Sequence, residues 1–286
     1  MKVLITGGKG QLGIDVTSLF QREGYQVWSF GKQELDITSF EHLKQTVEAI
    51  KPDLIIHAAA YTKVDLAEEE RDTAFRINAI GTRNVAVVAN QVGAKLIYIS
   101  TDYVFDGTQN IPYDEYSSVN PQSVYGKSKL AGEVYVQQMC ERFFIVRTSW
   151  VYGQAGSNFV KTMLTLAAKQ TELTVVHDQV GCPTYSMDLA AFLLELAKTD
   201  LYGIYHASNT SSCSWYEFAK AIFAEAGYND VQVKPVSTAQ FQRPAPRPAY
   251  SVFDHMGIRV NGFTPLRPWR EALQAFIRDW KEQTDL

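Results

Sequence analysis

A chain of 286 residues with 46% hydrophobic and 20% charged side chains can bury a sizeable core, which excludes a disordered, collagenous or disulfide-scaffold protein. Lys and Arg number 27 against 31 Asp and Glu, so a formal charge of −4 leaves no basic excess to neutralise a nucleic-acid backbone, and no nucleic-acid partner is expected. Three cysteines, Cys140, Cys182 and Cys213, lack the close spacing of a zinc or redox pair and read as reduced core thiols.

The opening MKVLITGG holds an apolar run too short for a signal peptide, and no later run approaches the ~20 apolar residues that cross a bilayer. A soluble cytoplasmic chain without a membrane partner is the expectation. Short apolar runs at 3–6, 25–30, 53–60, 95–100 and 143–149 read as strands buried on both faces, alternating with helical patterns near 11–23, 39–50, 72–92 and 123–141. That rhythm predicts an α/β fold over residues 1–150: a Rossmann-type doubly wound parallel sheet with helices on both faces.

After residue 150 the pattern loosens. Helical stretches near 158–169, 186–198, 214–227 and 267–280, and strand-like pieces at 173–176 and 203–206, predict a smaller C-terminal lobe over 151–286. That lobe is expected to be discontinuous, with some segments returning to the first domain. The stretch QRPAPRPAY at 242–250 carries three prolines and should be extended and surface-lying.

Directly after the first strand comes Gly7-Gly8-Lys9-Gly10-Gln11-Leu12-Gly13, followed by a helical pattern. Glycines in that setting let the backbone turn tightly and approach a pyrophosphate, while the following helix offers free N–H groups to its negative charge. The run satisfies two spacings, from Gly8 or from Gly7 through Gly10 to Gly13, and the string does not choose between them. A carboxylate for a ribose 2′-hydroxyl is expected ≈ 20 residues beyond the glycines, and none is there. The second strand ends instead at Phe30-Gly31-Lys32, where a lysine suits a 2′-phosphate. NADPH is therefore the expected cofactor, with NADH still open.

Tyr125 and Lys129 stand four apart at the start of a helical pattern, YGKSK, and so share one face. A neighbouring ammonium stabilises a phenolate, and that spacing predicts a Tyr125 pKa lowered towards the working range. The fourth strand runs into Ser100-Thr101-Asp102, at the sheet edge where ligands of this fold bind, so Thr101 can offer a hydroxyl beside the phenol.

Together GGKGQLG, HAAAYTKVD at 57–65, STDYVFDG at 100–107, YGKSK and DQVGCPT at 178–184 resemble an extended short-chain dehydrogenase/reductase. The resemblance is closest to the branch that reduces the C4 keto group of dTDP-6-deoxy-L-lyxo-4-hexulose to dTDP-L-rhamnose. It covers nearly the whole chain, most densely over 1–190. It implies a catalytic set of Thr101, Tyr125 and Lys129, with Tyr125 protonating the keto oxygen and Lys129 lowering the tyrosine pKa and holding the nicotinamide ribose. It also implies cofactor contacts at Gly7, Gly10, Gln11, Leu12, Gly13, Lys32, Asp36, Ile37, Ala58, Ala60, Tyr61 and Thr62. Asn78 corresponds to a sheet-supporting asparagine, and the C-terminal lobe to the substrate-binding part.

For the nucleotide-sugar substrate, the resemblance points to Thr101, Asp102, Tyr103, Trp150 and Arg247. Related 4,6-dehydratases carry Asp-Glu after the threonine; here Asp102-Tyr103 removes the second carboxylate and favours carbonyl reduction. Asp36 reads equally as a helix cap ahead of Thr38-Ser39. The histidines, His42, His57, His177, His206 and His255, show no metal-binding spacing, and no metal is expected. A reductase or epimerase of another nucleotide sugar remains open. So does a non-catalytic dinucleotide-binding subunit like the regulatory subunit of methionine adenosyltransferase. A homodimer is allowed by the resemblance.

Overall fold

The computed structural model describes residues 1–284. Its centre is a six-stranded sheet in which every neighbouring pair is parallel. In chain order the first half runs β1 (Lys2–Thr6), α1 (Gln11–Arg22), β2 (Gln26–Phe30), α2 (Phe40–Ile50), β3 (Leu54–His57), α3 (Arg71–Phe75), α4 (Thr82–Gln91), β4 (Lys95–Thr101), α5 (Val124–Met139) and β5 (Phe143–Thr148). The second half runs β6 (Val151–Tyr152), α6 (Phe159–Ala167), β7 (Glu172–Val176), β8 (Val180–Gly181), β9 (Thr184–Tyr185), α7 (Ser186–Ala197), β10 (Gly203–His206), β11 (Cys213–Ser214), α8 (Trp215–Ala226), β12 (Gln232–Val236), α9 (Met256–Val260) and α10 (Trp269–Thr284).

The spatial order β10-β5-β4-β3-β1-β2 reverses direction between β1 and β3, and that reversal opens a crevice at the carboxyl ends of these two strands. Alternate strand residues feed two cores. Val3, Ile5, Leu54, Ile56 and Val146 pack with α1 and α7 on one face, while Leu4, Ile55, Leu96, Tyr98 and Ile145 pack with α2, α4 and α5 on the other.

β10 and α7 come from beyond residue 150 yet belong to this central layer: β10 pairs with β5, and α7 lies against α1. A separate core joins α6, α8 and α10 around Phe218, Phe276 and Tyr152. Small two-stranded pairs stitch the segments between: β6 with β9, β8 with β11, and β7 with β12.

Two elements differ from the periodic reading. The single helix expected over 72–92 is interrupted by a π-helical turn at Arg76–Gly81, which carries the buried Asn78. The third strand stops at His57, so Ala58 to Ala60 leave the sheet and curve over its edge. The stretch 242–250 forms neither helix nor strand beyond one isolated bridge at Tyr250, and the three cysteines are buried and unpaired. Among the described residues no helix is long and apolar enough to cross a membrane.

Candidate active site

A cleft of about 680 Å³ runs along the carboxyl edge of the sheet, from Lys32, Asp36 and Ile37 past the glycine loop to Thr101, Tyr125, Lys129 and Trp150. Gly7, Gly10 and Gly13 line it and Gly8 does not, which selects the spacing that begins at Gly7. Gly7 has φ +74°, and a Cβ there would lie 2.5 Å from the Ala59 nitrogen. A Cβ on Gly13 would lie 2.2 Å from the Gly7 carbonyl oxygen. Gly8 instead packs beneath β2, where a Cβ would strike the Ser29 hydroxyl.

Gly10 caps helix α1 without a side-chain bond, and no acidic residue stands in the helix's first turn. Its leading N–H groups therefore keep their capacity for an anion. These features fit a dinucleotide. Gln11, in that first turn, donates to the Val151 carbonyl (3.0 Å) and accepts from the Asn158 amide (2.9 Å), tying the glycine loop to the C-terminal segments.

Leu12, Ala58, Ala60 and Thr62 line the same cleft, and so do Lys32, Asp36 and Ile37 at its β2 end. Asp36 accepts from the Thr38 amide and hydroxyl (2.9 and 2.8 Å), while Ser39 occupies the cap position of α2. Asp36 is therefore a turn residue facing the cleft and not the helix cap. Tyr61 departs from its expected place: its side chain turns away to donate to Glu70 (3.1 Å) and does not line the cleft. Its backbone is clamped at both ends by the Asn78 amide (2.7 and 3.1 Å), which also donates to Ser128 (2.9 Å) at the start of α5. Asn78 thus braces the loop after β3 against the helix that carries Tyr125 and Lys129.

At the other end, Thr101 closes β4, and its hydroxyl lies beside the Tyr125 phenol, favouring the ionised form. Burial outweighs this and pushes the phenol up to about 12. Lys129, fully enclosed, is driven down to about 7 by the same burial, opposed by the Glu133 carboxylate one turn on. Its ammonium donates to the Ile99 carbonyl (2.7 Å) and sits 4.2 Å from the centre of the Tyr98 ring. The lowered Tyr125 pKa expected from the four-residue spacing is therefore not realised. Desolvation of the phenol dominates, and the lysine is engaged by β4. Glu133 is itself locked in a buried pair with Arg147 (2.8 and 3.0 Å) and accepts from Ser100.

Asp102 is buried, and its carboxyl is raised to about 6, chiefly by that burial, with the Ser251 and Thr101 hydroxyls opposing. Its Oδ2 and the Thr148 hydroxyl lack hydrogen-bond partners. The register places Thr148 opposite Thr101 on the adjacent strand, so both orphan groups lie at neighbouring strand ends lining the cleft. Tyr103 packs edge-on against Tyr125, with ring centres 5.4 Å apart.

Arg247 stands outside the lining of this cleft, close enough to Tyr103 on its wall to favour that phenol's ionised form. Asp65 holds its guanidinium with two bonds of 2.9 Å, and it lines a separate hollow of about 190 Å³ with Arg243 and Phe241. Among the described residues no group of three His, Cys, Asp or Glu side chains is arranged to hold a metal. His57 is fully buried between the Thr6 (2.7 Å) and Thr82 (3.0 Å) hydroxyls and is pushed down to about 3 by burial. It is a neutral structural link.

Several lining residues carried no local signal. Thr148 closes an apolar strand and Ser149 follows it, and Gly156 and Ser157 belong to an irregular turn, so only the folded chain brings them to the cleft.

The RmlD substrate binding domain family model matches residues 1–282. A spore coat polysaccharide biosynthesis protein, SpsK, from Bacillus subtilis is 42% identical, covering 99% of both chains. A dTDP-4-dehydrorhamnose reductase from Mycobacterium tuberculosis is also 42% identical, over 95% of this chain and 91% of its own. The crystal structure of dTDP-4-dehydrorhamnose reductase from Bacillus anthracis in complex with NADP superposes with a TM-score of 0.95 at 51% identity, covering 97% of this chain and 99% of that one. Because the family model and these proteins alike are matched along nearly the entire chain, central sheet and C-terminal segments together, the chain belongs to the RmlD substrate binding domain family of extended short-chain dehydrogenases/reductases.

Proposed function

We propose that this protein is an NADPH-dependent dTDP-4-dehydrorhamnose reductase, converting dTDP-6-deoxy-L-lyxo-4-hexulose to dTDP-L-rhamnose. The observation that carries the reading is that one continuous cleft holds both the glycine cradle and Thr101, Tyr125 and Lys129. Relatives named for this activity at 41–42% identity support it.

When bound, the reduced nicotinamide supplies a hydride equivalent to C4 of the sugar. The chain supplies the proton and the positioning. A phenol held at about 12 is fully protonated at neutral pH, so Tyr125 is charged with the proton that the developing C4 oxyanion needs. The Thr101 hydroxyl beside it steadies that oxygen and the phenolate left after transfer. Lys129, one turn on and driven down to about 7 by burial, offers donors for the nicotinamide ribose and, in its protonated fraction, a charge that favours the phenolate.

Asp102 and Thr148 offer unspent hydrogen-bonding capacity for sugar hydroxyls, and Trp150 an apolar wall. The exposed Lys32 at the β2 end, with no carboxylate on that strand's end, suits a 2′-phosphate and favours NADPH, with NADH as the weaker alternative. Such an enzyme works in the cytosol on a soluble nucleotide sugar. A homodimer is a separate proposal, decided by light scattering on the purified chain.

The test is the loss of 340 nm absorbance with dTDP-6-deoxy-L-lyxo-4-hexulose and either NADPH or NADH. Oxidation that requires the sugar, runs faster with NADPH, and falls by about 10²–10⁴ in Tyr125→Phe with NADPH affinity unchanged is the expected result. Tight NADPH binding with no turnover would overturn the reading in favour of a regulatory subunit. Turnover surviving Tyr125→Phe would overturn the mechanism.

A further inference from the structure

The segment 178–184, DQVGCPT, takes no part in the chemistry above, yet its Gly181 lies directly against the indole of Trp150. A Cβ at 181 would stand 2.7 Å from Cε2 and 2.8 Å from Nε1 of that ring. The indole's other large neighbour is Trp215, parallel within 8° and with ring centres 3.5 Å apart. Phe159 in turn leans on Trp215, with centres 4.5 Å apart. The pairing of β8 with β11 explains how remote segments meet here. Gly181 sits opposite Cys213 and Val180 opposite Ser214, so Trp215 follows immediately at the start of α8.

Trp150 has φ +47°, a left-handed conformation rare for a bulky side chain. Such a backbone persists only where its surroundings over-determine it. Here the Thr184 amide donates to the Trp150 carbonyl (3.2 Å), and the Ser149 hydroxyl donates to the Cys182 carbonyl (2.7 Å). Trp150 lines the cleft beside Thr101 and Asp102, whereas Trp215 does not. A strained residue fixed by backbone bonds, ring stacking and a glycine is held more firmly than core packing alone requires.

We propose that Trp215, together with Gly181, is a positioning residue for sugar recognition: it holds the Trp150 indole as a fixed apolar wall for the C–H face of a nucleotide-linked 6-deoxyhexose. The sugar's identity rests on the reductase reading. An aromatic face rewards contact with apolar C–H groups, and a ring already immobilised loses little freedom when the sugar arrives. Gly181 acts by omission, since any side chain there displaces the indole.

In calorimetric titrations, Trp215→Ala weakens dTDP-L-rhamnose about tenfold and leaves dTDP and NADPH within about twofold. Trp215→Phe, which keeps a flat ring behind the indole, restores most of that affinity. In turnover, Trp215→Ala raises KM for the sugar more than it lowers kcat. Should Trp215→Ala fail to fold, Gly181→Ala acts on the same indole from another segment and carries the same expectation.

Unchanged dTDP-L-rhamnose affinity in Trp215→Ala and Gly181→Ala, or equal losses for dTDP, would overturn the proposal. A wild-type protein that does not oxidise NADPH with the keto sugar would remove the reductase reading. The comparison of dTDP-L-rhamnose with dTDP would still decide the wall.

Discussion

At the glycine end of the cleft the site is made by leaving side chains out, whereas at the tryptophan end it is made by packing large ones together. Gly7 and Gly13 bring backbone within reach of backbone, and the start of α1, without a side-chain cap, leaves N–H groups for an anion. At the other end Tyr125, Trp150 and Trp215 arrive from three distant segments and are fixed by burial and stacking. Backbone recognition of a pyrophosphate needs one short stretch of chain, while recognition of a sugar ring needs a shaped wall that only the assembled fold supplies.

The sharpest way to separate the two ends is Gly13→Ala. The added Cβ meets the Gly7 carbonyl oxygen at 2.2 Å, so the loop must move. Losing one hydrogen bond to a charged phosphate costs about 1.5–3 kcal/mol, so NADPH affinity should fall by about 10- to 10²-fold. Affinity for dTDP should hold, measured by calorimetry on protein whose far-ultraviolet dichroism is native. Equal loss of both ligands would break the distinction between the ends.

That contrast also describes what the linear chain reveals. The parallel sheet and its helices were legible, because both-face burial writes continuous apolar runs and α1 follows its glycines directly. Tyr125 and Lys129 were legible as a pair because helical spacing is local. The raised Tyr125 pKa was not, since desolvation depends on Tyr103 and on the Ala67, Ala74 and Val124 cluster packing around the ring. Nor was the separation of Arg247 from the cleft, which is decided by Asp65, 182 positions away. The π-helical turn at Asn78 was hidden inside a good helical pattern, since one amide side chain bracing two elements leaves no periodicity.

A smaller effect is expected at Asp102. Burial raises its carboxyl from the ordinary 3.8 to about 6, so the folded state binds this proton more tightly than the unfolded chain. Stability from this group is therefore lost as pH rises from about 4 to about 6, and the cost is complete above that. Asp102→Asn should raise the melting temperature of the ligand-free protein at pH 8 by the equivalent of about 1–3 kcal/mol, and the gain should vanish near pH 4. A gain independent of pH would show that the carboxylate is not the strained group. Activity should nevertheless fall, which would place Asp102 with the sugar end.

The smallest effect belongs to Lys32, exposed at the β2 end. Lys32→Ala should weaken NADPH by about three- to tenfold and NADH hardly at all, because a solvated ion pair contributes little. Equal losses would remove the 2′-phosphate contact from this lysine.

A cleft that joins its cofactor end to its sugar end at C4 of the substrate delivers the cofactor's hydrogen to that carbon. Running the reaction with NADPH deuterated at the transferable position of its nicotinamide, and reading the product by NMR, should give dTDP-L-rhamnose carrying one deuterium, at C4. Deuterium at another carbon, or an epimerised sugar carrying none, would contradict that delivery.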